Sequence, residues 1–122
     1  NIGWHPWFLK RLANGAEAQL HFEAREMYRF DAAGIPTGEK MNPTSGPWDD
    51  CFCGLTAGPE IRWGDSLRLR LECAARDWVV YTQPAHALCV EPLSAPPNSI
   101  NFDAQEVRPG KPLVEELRLV WG

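Results

Sequence analysis

The run Leu67-Arg68-Leu69-Arg70-Leu71-Glu72 alternates strictly between leucine and a charged residue. A period of two places the leucines on one face of an extended strand and the charges on the other. A helix would scatter both sets around its circumference, so the run marks a sheet with one face in a core and one in water, as antiparallel sheets have. The stretch Ala18-Gln19-Leu20-His21-Phe22-Glu23-Ala24 repeats the pattern, with Leu20 and Phe22 on one face and His21 on the other. Trp78-Val79-Val80-Tyr81-Thr82 and Ala87-Leu88-Cys89-Val90-Glu91 are apolar on both faces and read as central strands, and Leu117-Arg118-Leu119-Val120-Trp121 supplies a last one. A helical period can be laid on residues 17–30, but Tyr28 and Phe30 fit a second strand as well. Breakers fall at residues 31–34, 42–47, 56–59, 64–65, 95–98 and 109–110, and this spacing fits short antiparallel strands. The stretch 42–47 reads as a surface loop, since strands continue on both sides. The pattern predicts an all-β fold, an antiparallel β sandwich, in one domain spanning residues 1–122.

Composition narrows the partners. Sixteen acidic against twelve basic residues leave a net charge of −4, which disfavours nucleic acid, whose binders carry a basic surplus. No run approaches the roughly 18 apolar residues of a membrane span, so no membrane is expected as partner. Ten glycines, eleven prolines and six tryptophans point to many turns and to flat apolar surfaces that need covering, or to a sugar that stacks on them. Cys51 and Cys53 flank a single residue, where a disulfide would be strained, and Cys73 and Cys89 do not supply a second pair at metal-ligand spacing. The four cysteines therefore read as reduced and mostly buried, with no metal, in a cytoplasmic setting. Asn1 opens the chain, and a dense aromatic motif follows almost at once, so a piece of something longer is expected.

Three motifs hold candidate chemistry. In Gly3-Trp4-His5-Pro6-Trp7-Phe8 a histidine lies between two tryptophans, a rigid apolar setting that suits proton transfer; a core histidine bonded to a carbonyl is the plainer alternative. In Trp48-Asp49-Asp50-Cys51-Phe52 adjacent carboxylates point opposite ways on an extended chain, so one of them at most faces a given pocket; a turn or cap would use them equally well. In Cys89-Val90-Glu91-Pro92 a carboxylate ends an apolar strand, Pro92 is expected to stop the ladder, and partial burial would make Glu91 a better base, unless it forms a structural salt bridge. A zinc hydrolase built on His5, His21, His86 and Glu91 is disfavoured, because no two of those histidines have ligand spacing.

In this order the three motifs, extended through Leu93-Ser94-Ala95-Pro96-Pro97-Asn98-Ser99-Ile100-Asn101 to the turn at Pro109-Gly110, resemble the aldose 1-epimerase (mutarotase) family over essentially the whole chain. Members fold as a large antiparallel β sandwich and interconvert the α and β anomers of free sugars, and the match is to the C-terminal part. The resemblance implies that His5 is the general acid, Glu91 the general base and Asp49 a hydrogen-bond partner of the sugar. Among the tryptophans Trp4, Trp7 and Trp48 are candidates to bind substrate by stacking on its apolar face, Trp7 and Trp48 foremost, with a place in the core as the plainer alternative. It implies no metal, nucleotide or redox cofactor, and a small-molecule sugar as partner. Galactose mutarotases carry Asn and Gln where this chain has Trp4 and Leu93, so the pattern sits closer to the branch with HPWF and EP motifs. On this reading His5 and Glu91 would flank a bound sugar from opposite sides. A non-catalytic carbohydrate-binding β-sandwich module is the alternative. The six tryptophans and unpaired edges further predict self-association, or pairing with an N-terminal half that would cover the exposed face.

Overall fold

The computed structural model describes residues 1–122. In chain order the strands are β1 (Trp7–Leu9), β2 (Ala18–Phe30), β3 (Pro36–Met41), β4 (Asp49–Trp63), β5 (Leu67–Cys73), β6 (Asp77–Tyr81), β7 (Ala87–Leu93) and β8 (Leu117–Trp121). All pairings are antiparallel. The long strand β4 organises them: β2 runs along one side of it, while its other side is shared, β6 pairing with Asp49–Cys53 and β5 with Glu60–Trp63. The sheet therefore branches, one arm continuing through β6 and β7 to β1, the other through β5 to β8.

The two arms meet across one core. Phe8, Trp78, Leu88 and Val90 from the first arm pack with Ile61, Trp63, Leu69 and Leu71 from the second half of β4 and from β5. Burying so many large apolar side chains, each worth about 1.5–3 kcal/mol, supplies the main driving force for this arrangement. The alternation that opens the sequence is the alternation of β5: Leu69 and Leu71 are buried while Arg68, Arg70 and Glu72 are exposed. The fold is all-β, as the pattern predicts, and the layers of the sandwich are two arms of a branched sheet.

Three local expectations are corrected. Residues 17–30 hold neither a helix nor two strands, because β2 is a single strand, Ala18–Phe30, paired to β4 as far as Met27 and to β3 from Met27 to Phe30. Residues 56–59 do not break the chain; β4 passes through them, and the register shifts around Glu23 on β2 absorb the irregularity. Pro92 does not stop the ladder, since β7 continues to Leu93 and Pro92 lies opposite Trp78. In an antiparallel pair the N and C=O of one residue point to the same side. The Pro92 carbonyl accepts from Trp4 N at 3.2 Å, so the missing N–H also faces the N-terminal segment, and the β6 ladder loses nothing.

Beyond β7 the chain turns back over the first arm. Ile2 N donates to Ser94 Oγ, and Ser94 N donates to the Ile2 carbonyl. Asn98, with φ of 63°, sits in the left-handed region and donates from its side chain to the Pro36 carbonyl at 2.9 Å. A 3-10 turn, Ser99–Asn101, then places Phe102 against Tyr28, Cys51 and Cys53. Gly38 makes that closure possible: its φ is +89°, and a Cβ there would lie 2.9 Å from the Phe102 ring. No helix is long and apolar enough to cross a membrane.

Candidate active site

Strand register assigns the candidate residues to faces. Trp7, Cys89, Tyr81 and Asp49 are successive cross-strand partners and form one transverse row. Glu91, Val79 and Cys51 form the next row, and Leu93, Asp77 and Cys53 the one after. All of these share one face of the sheet, because directly paired residues project together and the side-chain period is two. Leu88, Val90, Val80 and Phe52 project to the opposite, core face.

On the first face, His5 Nδ1 lies 3.3 Å from Glu91 Oε1. The two side chains differ sharply in exposure, 59% for His5 and 11% for Glu91. Burial pushes the Glu91 carboxyl above its ordinary value of 4.5; the neighbouring His5 pulls it part of the way back, and the Asp49 charge raises it further. Burial likewise lifts the Cys89 thiol to about 11, with Glu91 and Asp49 adding to the shift. The His5 ring runs nearly parallel to Trp7, at 5.6 Å and 10°, and Trp7 is nearly parallel to His86 at 6.4 Å and 8°. The edge of Tyr81 meets Trp7 at 6.0 Å.

His5, Glu91, Asp49 and Trp7 thus share one face, and Trp48 does not join them. Its ring packs on Phe22 and Phe52, on the core side, and its Nε1 donates to the Thr44 carbonyl at 2.8 Å. Asp49 and Asp50 do point opposite ways: Asp49 is exposed beside Tyr81, whereas Asp50 is half-buried next to Val80 and raised by desolvation. His5 is not enclosed by the tryptophans, because Trp7 is itself 53% exposed and leaves the imidazole open to solvent. Nor do His5 and Glu91 stand apart with room for a sugar between them; they touch. Of the residues in the zinc reading, His5 and Glu91 come together, and the third donor beside them is the Cys89 sulfur, not a second histidine.

The same face carries a second buried carboxylate. Asp77 is fully buried, receives the Tyr28 hydroxyl at 3.1 Å and the Arg76 Nε at 3.0 Å, and Arg76 reaches on to Asp103. Burial raises Asp77, and Arg76 and Tyr28 oppose that shift. This cluster borders a cleft of about 330 Å³ that Lys40, Arg25 and Phe102 also line. Sequence reasoning missed both Asp77 and Cys89. The available signal for Cys89 was its spacing of two from Glu91, which puts both on one strand face; Asp77 gave none, since its partner Tyr28 comes from a distant strand.

No family profile and no curated protein matches the chain. Among solved structures, a galactose mutarotase-like protein from Clostridium acetobutylicum superposes with a TM-score of 0.78 at 17% identity, covering 98% of this chain and 46% of that one. A candidate aldose 1-epimerase from Escherichia coli K12 superposes with a TM-score of 0.64 at 16% identity, covering 98% and 50% respectively. The chain thus has the galactose mutarotase-like fold and spans about half the length of the structures it matches.

Proposed function

We propose that this chain carries the acid–base pair of an aldose 1-epimerase, an isomerase acting on a free hexose in the cytoplasm. The contact between an exposed imidazole and a desolvated carboxylate on an open sheet face is the observation that supports this reading most. The fold shared with a mutarotase-like protein and with a candidate aldose 1-epimerase points the same way.

Mutarotation moves two protons at two oxygens bonded to one carbon, so the acid and the base must stand side by side. With Nδ1 and Oε1 turned to each other, Nε2 and Oε2 remain for the sugar. Glu91 takes the proton from the anomeric hydroxyl as protonated His5 gives one to the ring oxygen. The bond from the anomeric carbon to the ring oxygen breaks, its electron pair stays on that oxygen, and an open-chain aldehyde forms. After rotation about the adjoining carbon–carbon bond, Glu91 returns its proton to the aldehyde oxygen and His5 recovers one from the attacking hydroxyl. Each group contributes about 10² to 10⁴ in rate. Burial of Glu91 makes it the stronger base, exposed Asp49 accepts from a sugar hydroxyl on this reading, and Trp7 offers an apolar surface next to His5.

A second reading, a carbohydrate-binding module without turnover, is favoured by the chain spanning only about half of each matched structure. Polarimetry on freshly dissolved α-D-glucose and α-D-galactose separates the two. Faster approach to the equilibrium rotation supports the epimerase. Heat of binding in calorimetry with an unchanged rotation rate supports the module.

A further inference from the structure

We infer that His5, Cys89 and Glu91 also form a capture site for a borderline-soft divalent cation, of which Zn²⁺ is the type. One ligand atom from each, an imidazole nitrogen, the Cys89 sulfur and a Glu91 oxygen, all lie within 4.8 Å of one another. A tetrahedral zinc ion with bonds of about 2.0–2.3 Å holds its ligand atoms roughly 3–4 Å apart. The His5–Glu91 separation of 3.3 Å already falls in that range, and the sulfur needs only a small approach.

The backbone fixes the arrangement. Cys89 and Glu91 project from the same face of β7, in a strand paired on both sides at Cys89. His5 is delivered by the segment whose Trp4 N is bonded to the Pro92 carbonyl. One nitrogen, one sulfur and one carboxylate oxygen suit zinc or cobalt better than magnesium or calcium, which take oxygen ligands. Three protein ligands leave a fourth position for water, as in open zinc sites. Of the three donors the imidazole is exposed and the other two are buried, so His5 gives the ion a path in from solvent.

On binding, the Cys89 S–H bond breaks, its proton passes to water, and the sulfur pair is donated to the metal. His5 donates its Nδ1 pair with the ring proton on Nε2, and Glu91 enters as carboxylate; no oxidation state changes. The site itself stands on this geometry. Its consequence rests on the proposed epimerase reading: with both pairs engaged by the ion, neither His5 nor Glu91 can move a proton, so the metal would be a reversible inhibitor.

The test is titration of the purified chain with Co²⁺, followed by the thiolate-to-cobalt charge-transfer absorption in the near ultraviolet. One ion per chain is expected, with displacement of the band by Zn²⁺. Cys89→Ala should abolish the band, and His5→Asn should weaken binding by more than the 10- to 100-fold that loss of an outer partner typically costs. His5 is exposed, so its variant keeps the test readable if the Cys89 variant unfolds. Cys73→Ser, which removes the half-buried thiol elsewhere in the sheet, should leave the band intact. Absence of a band, or a band lost in Cys73→Ser and retained in Cys89→Ala, would overturn the site. A band on loading, with no sugar turnover by the metal-free chain, would keep the metal site and sink the epimerase reading; turnover by the metal-free chain with no band on loading would do the reverse.

Discussion

Glu91 and Asp77 are both buried carboxylates on the same sheet face, and both are raised by desolvation. Their surroundings separate them. Asp77 is tied to the Tyr28 hydroxyl and the Arg76 guanidinium, and Arg76 binds Asp103 on the segment that folds over that end of the face. Glu91 has a single ion-pair partner, His5, and that partner is exposed. A buried carboxylate surrounded by donors is held in place; one facing a single open histidine retains a free oxygen and a path to substrate. On the proposed reading, desolvation alone does not mark a catalytic acid or base, and unspent hydrogen-bonding capacity does.

The sharpest break in the comparison is expected in turnover. Glu91→Gln and His5→Asn should each lower the rate of anomer exchange by about 10² to 10⁴. The double variant should lose little more than either single one, because groups that act as a unit are not additive. Near-additive losses in polarimetry would mean that the two act independently.

Asp77 should reveal itself in stability. Asp77→Ala leaves the buried Tyr28 hydroxyl without its acceptor and frees Arg76 from one of its two carboxylates, at a cost of about 1–3 kcal/mol. Urea unfolding measures it; a loss within error of zero would show that the cluster does not hold the 94–103 segment down.

The smallest effect has the opposite sign. A carboxyl whose folded pKa lies above its ordinary 4.5 binds its proton more tightly when folded. Its contribution to stability is therefore complete below pH 4.5 and is lost as the pH rises through the folded value. Gln cannot ionise, so Glu91→Gln should melt above the wild type at neutral pH, and the gap should close in acid. A variant that melts lower at neutral pH would mean that Glu91 is held by interactions like those of Asp77.

Legibility in the sequence followed the range of each interaction. The alternation of β5 and the apolar run of β7 depend only on neighbours along the chain, and both strands stand where the pattern puts them. Gly58 and Pro59 read as breakers, yet they sit inside β4, because pairing with β2 just before and just after them, at Ala57 and Glu60, overrides local preference. His5, Asp49 and Glu91 were readable as motifs, and register explains why they share a face. The exposure of His5 was not readable, since it depends on Trp7 lying flat on the outside of β1. Trp48 shows the same limit: next to Asp49 in sequence, it projects to the opposite face, as adjacent residues of a strand must.

The central claim is that Glu91 reacts and Asp77 only holds. Exchange NMR of glucose at anomeric equilibrium reads the α-to-β rate directly, with the wild-type chain, Glu91→Gln and Asp77→Asn compared at equal folded fraction. The account predicts that Glu91→Gln loses exchange by about 10² to 10⁴ while Asp77→Asn stays within a few-fold of wild type. Exchange retained in Glu91→Gln, or lost equally in Asp77→Asn, would contradict it.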